Sequence, residues 1–168
     1  MSIVLCGFMG CGKSTVGRLI ADRLKMRFVD TDELIEQTEG RRIKDIFAVD
    51  GESGFRDIEH NICEKIAEAD NCVIAVGGGA LTFKRNVALF KNRAVIVFLD
   101  VPYDVILRRI GHDEKRPLMN EKSERLYNDR HPLYADAADI IISVGNDLSC
   151  EQTAERIIKA YLDGRDKK

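Results

Sequence analysis

The sequence predicts an α/β fold, a parallel sheet covered by helices on both faces, in one domain spanning residues 1–168. Three observations predict it. Short apolar runs rich in Val and Ile alternate along the chain with segments of helical periodicity. Those runs are continuously apolar, as expected of strands buried on both faces. No repeat, low-complexity segment or linker interrupts the alternation, so the 168 residues make a single core.

The elements follow in order. "IVLC" at 3–6 predicts a buried strand, and 13–25 predicts a helix from the spacing of Val16, Leu19, Ile20 and Leu24. "RFVD" at 27–30 predicts a second strand ending on an acid. "TDELIEQTEG" predicts a helix with Thr31 as N-cap and Gly40 as its stop. Residues 43–51 and 55–70 predict two further helices. "CVIAV" predicts the third strand, running straight into three glycines, and a helix follows at about 83–91. "AVIVFLD" at 94–100 is the fourth strand and "YDVILRRI" a helix. Residues 111–121 form a polar loop with Gly and Pro. Residues 122–138 predict a helix broken or kinked at Pro132. "DIIISV" is the last strand, 150–162 the last helix, and "GRDKK" a solvated tail.

Composition narrows the function. A formal net charge of -2 gives no global basic field to gather nucleic acid or an anionic membrane surface. The five cysteines (Cys6, Cys11, Cys63, Cys72 and Cys150) are odd in number and form no CxxC pair, so neither a disulfide framework nor a zinc site is expected. Cys6 and Cys72 read as core residues, whereas Cys11 lies inside a glycine-rich loop beside Lys13. The sequence shows no basic-then-apolar leader and no apolar run near the roughly 20 residues that span a bilayer. A cytosolic location is the expectation.

"GFMGCGKST" at 7–15 carries the strongest signal. Gly7, Gly10, Gly12, Lys13 and Ser14 fit G-x-x-x-x-G-K-[ST] between an apolar strand and an amphipathic helix, the setting that motif requires. Glycines let backbone N–H groups converge on an anion, and the helix N-terminus adds partial positive charge. Lys13 is placed for the β- and γ-phosphates of a nucleotide and Ser14 for Mg²⁺. Many switch GTPases carry an Asn-Lys-x-Asp guanine reader, and none is present. A short chain of this kind points by analogy to a small-molecule kinase.

The acceptor side is read from four stretches. Asp30 and Asp32 in "VDTDE" stand at the carboxyl end of the second strand, where open α/β sheets bind ligands. One acid suits Mg²⁺ and the other an acceptor hydroxyl; a helix cap with acids favouring the dipole is the equal alternative. Gly77, Gly78 and Gly79 expose backbone amides after the third strand. Arg56 and Arg130 are either surface arginines or a clamp for a carboxylate, with Glu59 at i+3 placed to orient Arg56. Arg116, in the polar loop, suits a lid that closes over phosphates. Asp100 reads as a strand-end or helix-cap acid, and His112 as a surface residue.

Taken together, "GFMGCGKSTVGRLIADRL", "FVDTDELIE", "IFAVDGESGFRDIE", "VIAVGGGA", "RRIGHDEKRPL" and "RHPLY" resemble the shikimate kinases, over about residues 3–160. The resemblance implies a five-stranded parallel sheet, a substrate-binding segment at about 31–60 and a lid at about 110–121. It implies ATP at Gly10, Cys11, Gly12, Lys13, Ser14 and Thr15, with Arg109 near adenine and Arg116 as the lid arginine. Mg²⁺ falls to Ser14 and Asp30. Shikimate falls to Asp32, Arg56, Gly77, Gly78, Gly79 and Arg130, with the arginines on its carboxylate. Lys13, Asp32 and Arg116 carry the chemistry, a γ-phosphoryl transfer from ATP to the 3-hydroxyl in aromatic amino acid biosynthesis. A monomer is implied. Residues 145–150 depart from the pattern of the family's adenine-contacting loop. The rivals are a kinase for another small acceptor, such as gluconate or a nucleoside monophosphate, and a non-catalytic nucleotide-binding regulator.

Overall fold

The computed structural model describes residues 1–110, 121–146 and 148–165. The first half runs β1 (Ser2–Cys6), α1 (Lys13–Leu24), β2 (Arg27–Asp30), α2 (Thr31–Glu39), α3 (Ile43–Ala67) and β3 (Cys72–Ala75). A single 3₁₀ turn (Ala80–Thr82) and α4 (Lys84–Phe90) lead to β4 (Ala94–Asp100). Then come α5 (Tyr103–Ile110), α6 (Glu121–Ala137), β5 (Ile140–Ser143) and α7 (Cys150–Arg165).

The five strands form one parallel sheet in the order β2-β3-β1-β4-β5. The chain leaves β1 toward one edge and later crosses to the other, so the strand order reverses at β1. Ligands of open α/β sheets bind outside the strand ends at such a reversal. Here that crevice lies between the turn after β1 and the turn after β3, which Val76 N ties to Leu5 O at 3.2 Å.

Every residue of β1 and β3 is buried, because helices cover both faces. The edge strands differ. β2 is largely half-buried, and β5 alternates half-buried with exposed, leaving Ile141 50% exposed. A second, small core of Ile35, Ile46, Phe55 and Ile62 sits between α2 and α3, apart from the main core under the sheet.

Two local expectations are corrected, the cap of α2 and a break at Pro132. The N-cap of α2 is Asp30, whose carboxylate accepts from the Asp32 and Glu33 amides, while Thr31 opens the helix. The two helices read at 43–51 and 55–70 are both present within α3, which kinks between them at Gly51, where φ is 69° and ψ is -175°. α6 runs on through Pro132, and packing of its flanks against the sheet outweighs the lost hydrogen bond. Among the described residues, no helix is long and apolar enough to cross a membrane.

Candidate active site

The turn between β1 and α1 leads into an open helix end. α1 begins after Gly12 with no side-chain cap and no acid in its first turn, so its amides and dipole face the crevice unopposed. Gly10 is required twice over. Its φ is +78°, and a Cβ there would lie 2.1 Å from Ile110 Cδ1. The loop is therefore packed against the end of α5, from which Arg109 Nη1 donates to Cys11 O at 3.4 Å. Lys13 folds back on the loop and donates to Gly7 O at 2.9 Å and Phe8 O at 3.1 Å, with Cys11 Sγ 3.7 Å away. Cys11 itself is buried and Thr15 is exposed at the helix end.

Asp30 caps α2 and also reaches Ser14. One carboxylate oxygen caps α2, accepting from Asp32 N at 3.0 Å; the other accepts from Ser14 Oγ at 2.6 Å. A hydroxyl and a carboxylate oxygen side by side are hard donors of the kind Mg²⁺ takes when phosphates and water complete its shell. No group of three or more His, Cys, Asp or Glu side chains that could hold a metal ion occurs among the described residues.

A cavity of about 260 Å³ brings Lys13, Ser14, Asp30, Asp32 and Gly78 together. Burial, then the neighbouring Asp30 charge, pushes the Asp32 carboxyl above its usual range; Lys13 and Arg56 oppose this in part. Glu59, with its side chain only 1% exposed, accepts from Arg56 Nη1 at 2.7 Å. Its carboxyl is also raised by burial, against the pull of Arg56.

Arg56 is held on several sides. Its guanidinium lies 5.1 Å and 5.3 Å from the ring centres of Phe55 and Phe83, within cation–π reach. A Cβ at Gly79 would fall 2.4 Å from Nη1. Yet its buried Nε has no hydrogen-bond partner within the protein. The Arg56 side chain as a whole is half-buried and keeps an unused donor, and its guanidinium fork matches a carboxylate.

The glycine turn lies between the acids and Arg130. A Cβ at Gly77 would be 2.6 Å from Asp32 Oδ1 and 3.1 Å from Glu59 Oε1. Gly77 N donates to the buried Thr31 Oγ1 at 2.9 Å. Gly78 O accepts from Arg130 Nη1 at 3.2 Å and from the Tyr134 hydroxyl. Asn86 Nδ2 donates to Ala80 O at 2.9 Å, and its oxygen therefore faces His60 Nδ1 at 2.6 Å.

The structure thus gathers Gly10, Cys11, Gly12, Lys13, Ser14, Thr15, Asp30, Asp32, Arg56, Gly77, Gly78, Gly79 and Arg130 around one crevice, with Arg109 at its rim. Arg116, and nearly all of the expected lid, lie outside the described residues. Asp100 ends β4 as expected and is bonded to His131 Nε2 at 2.9 Å. Sequence reasoning missed Thr31, Asn86, His131 and Tyr134. Only the Thr between the two acids carried a signal, since a hydroxyl there can reach a neighbouring backbone.

The shikimate kinase family model matches residues 9–162 of this chain. A shikimate kinase of Aromatoleum aromaticum is 41% identical over 150 residues, 86% of each chain. One from Persephonella marina is 42% identical over 145 residues, covering 84% of this chain and 88% of its own. Among solved structures, shikimate kinase from Acinetobacter baumannii in complex with shikimate superposes with a TM-score of 0.88 at 36% identity, covering 97% of this chain and 93% of that one. Shikimate kinase from Aquifex aeolicus gives a TM-score of 0.83 at 35% identity, over 99% and 98% of the two chains.

Proposed function

This chain belongs to the shikimate kinase family, and on that premise we propose that it transfers the γ-phosphoryl group of ATP to the 3-hydroxyl of shikimate, giving shikimate 3-phosphate and ADP. One observation carries the reading. The half-buried Arg56, with an unused Nε, acts on the Asp32 carboxylate, which shares a cavity with the phosphate loop. A small acid bearing hydroxyls satisfies both, with its carboxylate on the guanidinium and a hydroxyl toward Asp32.

The roles follow from placement. Backbone amides of Gly10, Cys11, Gly12 and the first turn of α1 cradle the triphosphate. Lys13 exchanges its loop carbonyls for the β- and γ-phosphates. Ser14 and Asp30 would hold Mg²⁺, which would offset the charge of the phosphates when bound. Arg56 and Arg130 take the acceptor carboxylate beside Gly77, Gly78 and Gly79. Asp32 orients the 3-hydroxyl and accepts its proton, and its raised basicity suits that task. We assign Arg109 to the adenine side and Arg116 to the transferring phosphoryl group. Residues 31–60 are the acceptor segment and 110–121 the lid. Rate acceleration comes chiefly from positioning and fixed charge. We propose a cytoplasmic monomer, as the family resemblance implies.

Coupled ADP release tests this with ATP and Mg²⁺ against shikimate, quinate, gluconate, nucleoside monophosphates and no acceptor. Turnover with shikimate alone is expected. Turnover with another acceptor instead would overturn the acceptor assignments and leave the phosphate loop. Silence across the panel with ATP still binding would make the protein a nucleotide-binding regulator.

A further inference from the structure

We infer that Thr31 is a positioning residue for the phosphoryl transfer: its hydroxyl fastens the turn carrying Asp30 and Asp32 to the glycine turn after β3, and so sets where Asp32 meets the acceptor hydroxyl. The inference rests on the reading of Asp32 as the residue that faces that hydroxyl.

β2 pairs with β3 up to Asp30 opposite Ala75. One step further, Thr31 would lie opposite Val76, and in a parallel ladder Gly77 N–H would donate to the Thr31 carbonyl. The chain turns into α2 at Thr31, and that carbonyl is committed to the helix. The Thr31 side chain takes over the missing bond. Its Oγ1 accepts from Gly77 N at 2.9 Å in a buried setting, with Thr31 0% exposed. The sheet is thereby extended by one hydrogen bond past the point where its backbone has left it.

This bond lies at the centre of the site. On one side Asp30 is held by Ser14 Oγ at 2.6 Å and caps the Asp32 amide. On the other, Gly77 lies against Asp32 Oδ1 and Glu59 Oε1, with no room for even a methyl group. No donor among the described residues hydrogen-bonds the Asp32 carboxylate. Its place is therefore set through its backbone, which the Asp30 cap and the Thr31 hydroxyl pin from two directions. Without the hydroxyl, Gly77 N–H would be buried unpaired and the two turns would separate or rotate to reach water. The reacting hydroxyl would then lose its alignment while the arginines still held the carboxylate.

The test compares Thr31→Val, which keeps the branched shape and removes the hydroxyl, with Thr31→Ser, which keeps the hydroxyl. Thr31→Val should lower kcat by about 10- to 100-fold, the range for leaving a buried donor unpaired beside an aligned reaction. The acceptor KM should move much less, ATP affinity should hold, and Thr31→Ser should recover most of the turnover. Gly77 amide exchange, followed by NMR, should quicken in Thr31→Val and not in Thr31→Ser. Unchanged kcat in Thr31→Val, an equal loss in Thr31→Ser, a parallel loss of ATP affinity or an unchanged Gly77 exchange rate would each overturn the inference. Thr31→Ala replaces the valine variant if that does not fold; failure of both to fold would make Thr31 a core residue and overturn it too. Wild-type turnover with shikimate, measured alongside, tests the acceptor reading separately. Gly77 exchange needs no acceptor, so the two failures are distinguishable.

Discussion

Arg56 and Gly79 make one unit, because the guanidinium occupies the place where a Gly79 side chain would be. A Cβ at Gly79 would lie 2.4 to 2.8 Å from Nη1, Nη2 and Cζ of Arg56. The backbone there is ordinary, with φ at -104°, so alanine brings no strain of its own. The clash falls on the movable end of a side chain. Gly79→Ala should therefore displace Arg56 without unfolding the chain. We expect the acceptor KM to rise roughly 10-fold or more, as for a lost charged hydrogen bond, with ATP affinity and melting temperature nearly unchanged. Steady-state kinetics with each substrate varied would show it; an unchanged acceptor KM would remove Arg56 from the clamp. Chemistry at the cysteines is separable in the same way. Burial pushes the Cys6 and Cys63 thiols up to about 12, so both stay protonated at pH 8. Native protein treated with iodoacetamide at that pH should be alkylated at half-buried Cys150 and spared at Cys6 and Cys63. Peptide mapping that finds Cys6 or Cys63 modified before unfolding would contradict the packing. Residues such as Lys13, Asp32 and Arg130 were legible in the sequence because a motif fixes their neighbours. Tyr134 was not, since its partner Gly78 is 56 residues away and only the folded sheet brings them together.

At the scale of elements, strands and helices were legible wherever apolar spacing alone decides them. β2, β4 and α5 keep their predicted bounds. Centre and edge were not distinguishable, because "IIIS" in β5 is as apolar as "CVIA" in β3, yet only β3 has helices over both faces. The separation of two helical stretches at 43–51 and 55–70 was legible, and the kink between them depends on one glycine. Gly51 sits at φ 69° and ψ -175°, and a Cβ there would meet nothing within 4 Å, so steric room is not what the glycine supplies. Only the backbone conformation requires it. Gly51→Ala should cost about 1–3 kcal/mol for that conformation despite the open space. At roughly 2–4 °C per kcal/mol for a chain of this size, thermal unfolding should begin several degrees lower. An unchanged or raised melting temperature would mean that α3 straightens through residue 51 at no cost.

At the scale of the whole molecule, two cores of unequal size share one helix. Ile35, Ile46, Phe55 and Ile62 form the small core, while Cys63, Ile66 and Ala67, at the far end of α3, belong to the large one under the sheet. The small core is joined to the rest by Leu34, which packs against both cores, and by hydrogen bonds between Thr31 and Gly77 at the site and between His60 and Asn86 beyond it. Free energy of local opening scales with the apolar area an element buries, so the region from α2 to about residue 60 of α3 should open well below the cost of global unfolding. The acceptor we propose would touch Asp32 and Arg56 on that region together with Gly78 and Arg130 on the rest, and would tie the two. Ligand at 100 times its Kd stabilises the bound state by about 2.7 kcal/mol, so shikimate at that excess should slow amide exchange over 31–60 by about 100-fold. Amides of the buried strands β1, β3 and β4 are expected to exchange by global opening, and so to report how far the whole chain is stabilised. Exchange mass spectrometry with and without shikimate separates the cases. Protection over 31–60 that starts from faster exchange than β1 supports two cores bridged by substrate. Exchange over 31–60 that is as slow as β1 before any ligand is added would mean that the small core has no independent opening and that the chain closes as a single body.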